Sequence, residues 1–242
     1  MALDFIRILL TAGEGLFSLF LGIVILQKSP KDRFNRTFFV SFVFFAIFFL
    51  AQLPLFIIGP LGSDAVPFLP FLNLSRDISN AFGIFGAAAM VLVSIIANRG
   101  VEILENRLVI VSSSFLLVIV AIIGELNDHV VIDIVNETHK LENNIIGLLI
   151  CFILPLVLFI VATTYFGILW YRLEDPVIKR NVLFFFGGMC ILLIGLLYQV
   201  VVTAMLGSSF FRENPLFDYV TYVAWGLGQL IMAQGFLRKI SS

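Results

Sequence analysis

The charged residues of this chain do not spread along it. They gather in short clusters between long apolar stretches. A helix that crosses a bilayer needs roughly 20 mostly apolar residues, because the hydrocarbon is about 30 Å thick and each residue rises about 1.5 Å. Seven stretches answer to this, the fourth being the shortest: Phe5 to Leu26, Asn35 to Gly59, Ile78 to Asn98, Leu108 to Gly124, Ile145 to Tyr171, Asn181 to Leu206 and Tyr219 to Leu237. Barrel strands would instead alternate polar and apolar over about ten residues. The chain is 13% charged, whereas a soluble domain carries about 25% to keep its surface wetted. The expected fold is therefore all-α: a polytopic membrane protein, one seven-helix transmembrane bundle over residues 1–242.

Basic residues set the expected orientation, because they are retained on the cytoplasmic side. Lys28, Lys31, Arg33 and Arg36 follow the first stretch, and Arg99 and Arg107 follow the third. Arg172, Lys179 and Arg180 follow the fifth, and Arg238 and Lys239 the seventh. These eleven face only Arg76, Lys140 and Arg212 in the alternate connections. The N-terminus is expected outside, the C-terminus in the cytoplasm, and the chain in the plasma membrane as a multi-pass protein. The fourth connection collects Glu125, Asp128, Asp133, Glu137 and Glu142, and its Asn136-Glu137-Thr138 is a glycosylation sequon on the expected outer face. No basic region precedes the first apolar run, so it reads as a retained span rather than a cleaved leader. A net charge of −1 points to no nucleic-acid partner. Cys151 and Cys190 both lie within apolar runs and read as small packing residues.

Polar side chains inside spans are costly and mark candidate sites. Glu14, near the middle of the first span, is the foremost; desolvation there favours the neutral acid unless a cation or donors face it. Arg7 is two turns away on the same face, too far to pair with it within the helix, so a partner from another span is needed. Gln52, Asn80, Tyr198, Gln199 and Thr203 fall in outer halves of their spans, and Asp218, Tyr219 and Tyr222 open the seventh. Gln229 is near its midplane, and Arg76 and Asp77 stand at the outer mouth of the third. Glu14, Gln52, Asn80, Tyr198, Gln199 and Gln229 are the candidate ligand-binding set. They form an outer polar pocket for a small molecule or lipid, or else a set of separate interhelical hydrogen bonds with interfacial tyrosines. Gly83, Gly86, Gly187, Gly188, Gly195, Gly226 and Gly228 mark close helix approaches, and Pro155 should kink the fifth span.

Catalytic and cofactor signatures are missing. The seventh span has no lysine for a retinal Schiff base, and both histidines, His129 and His139, lie in the fourth connection. No nucleophile–base set, phosphate loop or metal-ligand spacing is present, so neither an enzyme nor a cofactor nor a bound metal is expected.

A weak internal repeat joins Pro30 to Phe39 with Pro176 to Phe185: proline, a basic residue, asparagine and a Phe-Phe pair recur in register. Ala81-Phe82-Gly83 and Ala224-Trp225-Gly226 extend it. Two parallel three-helix halves joined by the fourth span would give this pattern, as would chance matches between Phe-rich helices. Ser29-Pro30 through Asn35-Arg36 with Phe38-Phe39 carries a wider resemblance, as do Lys179-Arg180-Asn181 before Phe185-Phe186-Gly187-Gly188, and Gly235-Phe236-Leu237-Arg238-Lys239. With these, the span pattern resembles the seven-helix N-terminal sensor module of prokaryotic histidine kinases and diguanylate cyclases. That resemblance implies an N-outside bundle that detects ligands or membrane state. No kinase or cyclase follows the seventh span, so the expectation is a receptor-like sensor that signals through a separate membrane or cytoplasmic partner. A small transporter of two three-helix halves with Glu14 as its proton or substrate site is the alternative, and a non-catalytic membrane scaffold subunit is another.

Overall fold

In hydrocarbon each backbone N–H and C=O must be satisfied within its own segment, and apolar stretches answer as helices. The computed structural model describes residues 5–133, 138–206 and 215–237. In chain order they form α1 (Phe5–Lys28), α2 (Arg33–Leu50), the short α3 (Leu53–Ile58), α4 (Leu69–Arg99), α5 (Arg107–Glu125), strands β1 (Asp128–Asp133) and β2 (Thr138–Asn143), the short α6 (Ile145–Leu148), α7 (Leu154–Arg172), α8 (Pro176–Leu206) and α9 (Pro215–Leu237). Five runs are long and apolar enough to cross a membrane: Phe5–Lys28, Arg33–Leu61, Ser63–Arg99, Ile145–Arg172 and Pro176–Val202. The apolar run of α5 is shorter, Ile110–Glu125. Helix α9 has 23 residues but carries Asp218 and Gln229 among them. Asn136 and Glu137 of the sequon, Arg212, Arg238 and Lys239 lie outside the described residues, as do the side chains of Thr203, His139, Lys140 and Glu142.

Helix ends obey local chemistry. Asp32 caps α2 by accepting from Phe34 N at 3.0 Å, and Asp175 caps α8 by accepting from Val177 N at 2.8 Å. The second apolar stretch breaks near Ala51 and Gln52, where Pro54 opens α3 and a 3-10 turn over Gly59–Phe68 follows. Expected from Ile78, α4 starts at Leu69 instead, because a polar face toward the hairpin supports two further turns. At Pro155 the backbone widens into a π turn over Leu149–Ile153 just before it. That turn gives the ring room against the preceding carbonyls.

Six helices close into a ring, α1–α2–α4–α7–α8–α9 and back to α1, while α5 packs outside against α4 and the π turn. Glycines set the closest approaches. Gly22 lies against Phe42 and Gly15 against Leu50, so α1 and α2 are antiparallel. Gly188 lies against Gly228 and Gly195 against Ala224, so α8 and α9 are too. Two neighbouring pairs are parallel. The Arg76 guanidinium lies over the Phe152 ring at one end of α4, and Asn98 donates to Tyr165 O at the other. Arg7 pairs with Asp218 and Ser18 with Gln229, a constant offset of 211 residues between α1 and α9.

Inside the ring, α2, α7 and α9 each send in one large ring. Phe45 and Phe159 have centroids 5.7 Å apart, Phe45 and Trp225 5.5 Å, and Phe159 and Trp225 5.6 Å. Leu21, Phe38, Met90, Met189 and Met232 fill the space around this trio. Alternating directions bring Lys28, Arg33, Arg36, Arg99, Arg172 and Lys179 to one end, where Arg33 pairs with Glu105 at 3.5 Å. The β-hairpin lies at the other.

A Cβ at Gly188 would sit 2.5 Å from Gly228 O, whereas one at Gly187 would meet nothing within 4 Å. Gly188→Ala should therefore destabilise the protein by about 1–3 kcal/mol, the usual cost of overpacking. Gly187→Ala should leave thermal unfolding in detergent unchanged, and comparing the two melts checks the α8–α9 contact.

Candidate functional site

Among the described residues buried polar side chains gather at the hairpin end and between α1 and α9. The first group begins with a stripe on α4: Asn73, Arg76, Asp77 and Asn80, spaced so that all four leave one face of the helix. The strands β1 and β2 run antiparallel from the Asp128↔Asn143 pair to Asp133↔Thr138 and lean on that face. Asn73 serves as a third strand: it accepts from Val130 N at 2.8 Å and donates to Val130 O at 3.4 Å.

Asp128 fastens the hairpin. It is fully buried, and its Oδ2 accepts from Arg76 Nε at 3.0 Å and from Asn80 Nδ2 at 2.6 Å. Beside it Glu125, just past the apolar stretch that ends at Gly124, faces Asp77. Burial, then the hydrogen bond and charge of Asp77, push the Glu125 carboxyl up to about 9. Neither Glu125 oxygen has a donor among the described residues. A protonated Glu125 resolves this by donating to Asp77, where two ionised carboxylates would repel.

The second group lines the seam between α1 and α9. Arg7 and Asp218 pair at 2.7 Å at its hairpin-side limit, with the Arg7 guanidinium also 5.2 Å from the Phe56 ring centroid. Tyr198 of α8 stands near enough to Asp218 to sense its charge. Deeper, Glu14 lies against Gly226, and Ser18 donates to Gln229 Oε1 at 3.0 Å.

Of the six candidate residues, Glu14 and Gln229 share the seam, Tyr198 borders its hairpin-side limit, and Asn80 belongs to the hairpin latch. Gln52 and Gln199 are half-buried and join neither group. Arg7 does find its partner on another helix, but the partner is Asp218. Asn73 and Asp128 were not among the candidates. The polar i, i+3, i+4, i+7 spacing from Asn73 to Asn80 is the signal for this face, hidden when the helix is started at Ile78. A groove of about 710 Å³ opens between α7 and α8, lined by Thr163, Thr164, Arg172 and Cys190 among others, and none of the six reaches it. Among the described residues no cluster of His, Cys, Asp or Glu is placed to hold a metal ion.

No protein-family model matches this chain, and no curated protein matches it. Its own residues are then the basis for a function. The latch is a neutralised, desolvated ion pair that ties the hairpin to a long helix; among the described residues the seam holds a carboxyl without a counter-charge.

Removing one member of a buried pair strands the other, at about 3–5 kcal/mol. Arg76→Met and Asp128→Leu should each destabilise by that order, and the double variant by clearly less than their sum, as a double-mutant cycle of unfolding would read.

Glu125 adds a pH dependence. Its folded value lies above the ordinary 4.5, so the stability its proton lends is complete below about 4.5 and is lost as pH rises through about 9. Melting temperature should fall across that window in the wild type and more gently in Glu125→Gln.

Proposed function

We propose that this chain is a seven-pass plasma-membrane protein, N-terminus outside and C-terminus in the cytoplasm, that works as a receptor-like sensor. The gathering of basic residues at one end supports the orientation. On this reading α5 and α9 also cross: α5 runs antiparallel to α4, and α9 keeps step with α1 along 211-residue offsets. The resemblance to seven-helix sensor modules supplies the class.

The observation that carries the reading is the burial of Asp128. The hairpin is the outermost described structure, and its fully buried Asp128 carboxylate is bonded to Arg76 and Asn80 of α4. Helix α4 then runs unbroken to Arg99 at the basic end. An outer cue, whether a small molecule or a membrane lipid, that shifts the hairpin must shift α4 or break the pair. A separate partner at the basic end would receive that shift. The closed ring with an uncompensated Glu14 between its first and last helices favours a second reading, a small transporter.

Asn73→Ala loosens the hairpin without stranding a charge. On the sensor reading, hydrogen exchange of the purified protein in nanodiscs should change both at the hairpin and at segments 29–32 and 100–106 of the basic end. A change confined to the hairpin and the first turns of α4 would sink it. Solute uptake into proteoliposomes that depends on pH and is lost in Glu14→Gln would put the transporter in its place.

A further inference from the structure

Arg7, Thr11, Glu14 and Ser18 recur at steps of three and four residues, so their side chains leave α1 on one side, toward α9. Both ends of this seam are partnered, by the Arg7–Asp218 ion pair at 2.7 Å and by the Ser18–Gln229 hydrogen bond at 3.0 Å. Its middle is not. Among the described residues, Glu14 Oε2, Thr11 Oγ1 and Gln229 Nε2 are all buried without a hydrogen-bond partner. Their residues are 8%, 0% and 1% exposed. Native proteins rarely leave three such atoms on one seam, and buried polar groups of this kind call for a chemical role.

Among the described residues no countercharge faces Glu14. On its own helix Arg7 is already engaged by Asp218 of α9. From α2 the neighbours near this turn are Ala46 and Leu50, which touch Gly15. Helix α3 presents Leu53–Ile58, without a charge, and α8 presents Tyr198 beside Asp218. From α9 the nearest contact is Gly226, where a Cβ would lie 2.6 Å from Glu14 Oε1. Only because residue 226 has no side chain can the carboxyl rest on the α9 backbone. A carboxyl in such surroundings is stable as the neutral acid, since an ionised one would be desolvated and unpaired.

The ionised form needs donors, and two stand idle on the same seam: the Gln229 amide N–H and the Thr11 hydroxyl. Of the six neighbouring pairs in the ring, α1 and α9 also meet least extensively, which makes this the joint that separates most readily. We infer that Glu14 is a reversible proton-binding site coupled to that joint. With α1 and α9 closed, Glu14 holds its proton. When they part, the O–H bond breaks, the proton passes to entering water, and the carboxylate accepts from Thr11 and Gln229. This coupling goes beyond the sensor reading and stands whether the input is an outer cue or a solute.

Infrared difference spectroscopy in liposomes tests it, with Glu125→Gln as background so that the Glu125 acid does not contribute. Cys151 and Cys190 are replaced by alanine, and nitroxides are placed at Leu9→Cys and Leu216→Cys, which are 70% and 76% exposed near the seam. A carboxylic-acid carbonyl band should be present in the folded protein and missing from Glu14→Gln. Raising the pH should remove the band and lengthen the label separation with one shared midpoint. In Glu14→Gln the separation should not respond to pH. Should that variant not fold, Glu14→Asp must keep both transitions, displaced together to a new midpoint. A Glu14 acid band that is absent, or that never titrates while the protein is folded, overturns the inference. So does a separation change with a different midpoint, or one that persists in Glu14→Gln.

Discussion

Three aromatic rings occupy the one place where a ring of helices could have held water. Phe45, Phe159 and Trp225 come from every second helix of the ring, so each of α2, α7 and α9 is pinned to the other two through the centre. Stacked and edge-to-face aromatic pairs of this kind contribute about 0.5–1.5 kcal/mol each beyond the area they bury. Inside a bilayer, where lipid tails are as apolar as a side chain, such packing together with close glycine approach is what holds helices together. With the centre filled, polar side chains have only two places to go: the end that carries the hairpin, and the joints between neighbouring helices.

That partition explains which properties could be read from the chain before its structure. Apolar runs are a one-dimensional property, and all seven correspond to helices, although α4 begins at Leu69 rather than Ile78 and the second run breaks after Leu50. Glu14 was conspicuous for the same reason, as a charge inside such a run. Partners are another matter. Nothing local to Arg7 points 211 residues ahead to Asp218, and nothing local to Asn80 points to Asp128. Both pairings depend on the ring closing, a tertiary fact.

The hairpin was hidden by its composition. β1 reads Asp-His-Val-Val-Ile-Asp and β2 Thr-His-Lys-Leu-Glu-Asn, and neither shows the strict alternation by which a half-buried strand is recognised. Their pairing is sustained by the α4 face, with Asn73 completing the sheet edge. Pro155 announced an irregularity without saying its form, and a single π turn joins α6 to α7 there.

Helix α5 stands apart from the ring, and Val111, Phe115, Leu116 and Ile122 on it are all exposed. It contributes little to the core, yet it decides parity. The stroke of α5 returns the chain to the hairpin end, so that α7 sets out alongside α4 and, two helices later, α9 alongside α1. An even count between the halves would send α9 the other way, and Arg7 would meet the residues around Leu237 instead of Asp218. The least packed helix of the molecule is thus its reversing switch, setting the sense in which the second half is threaded.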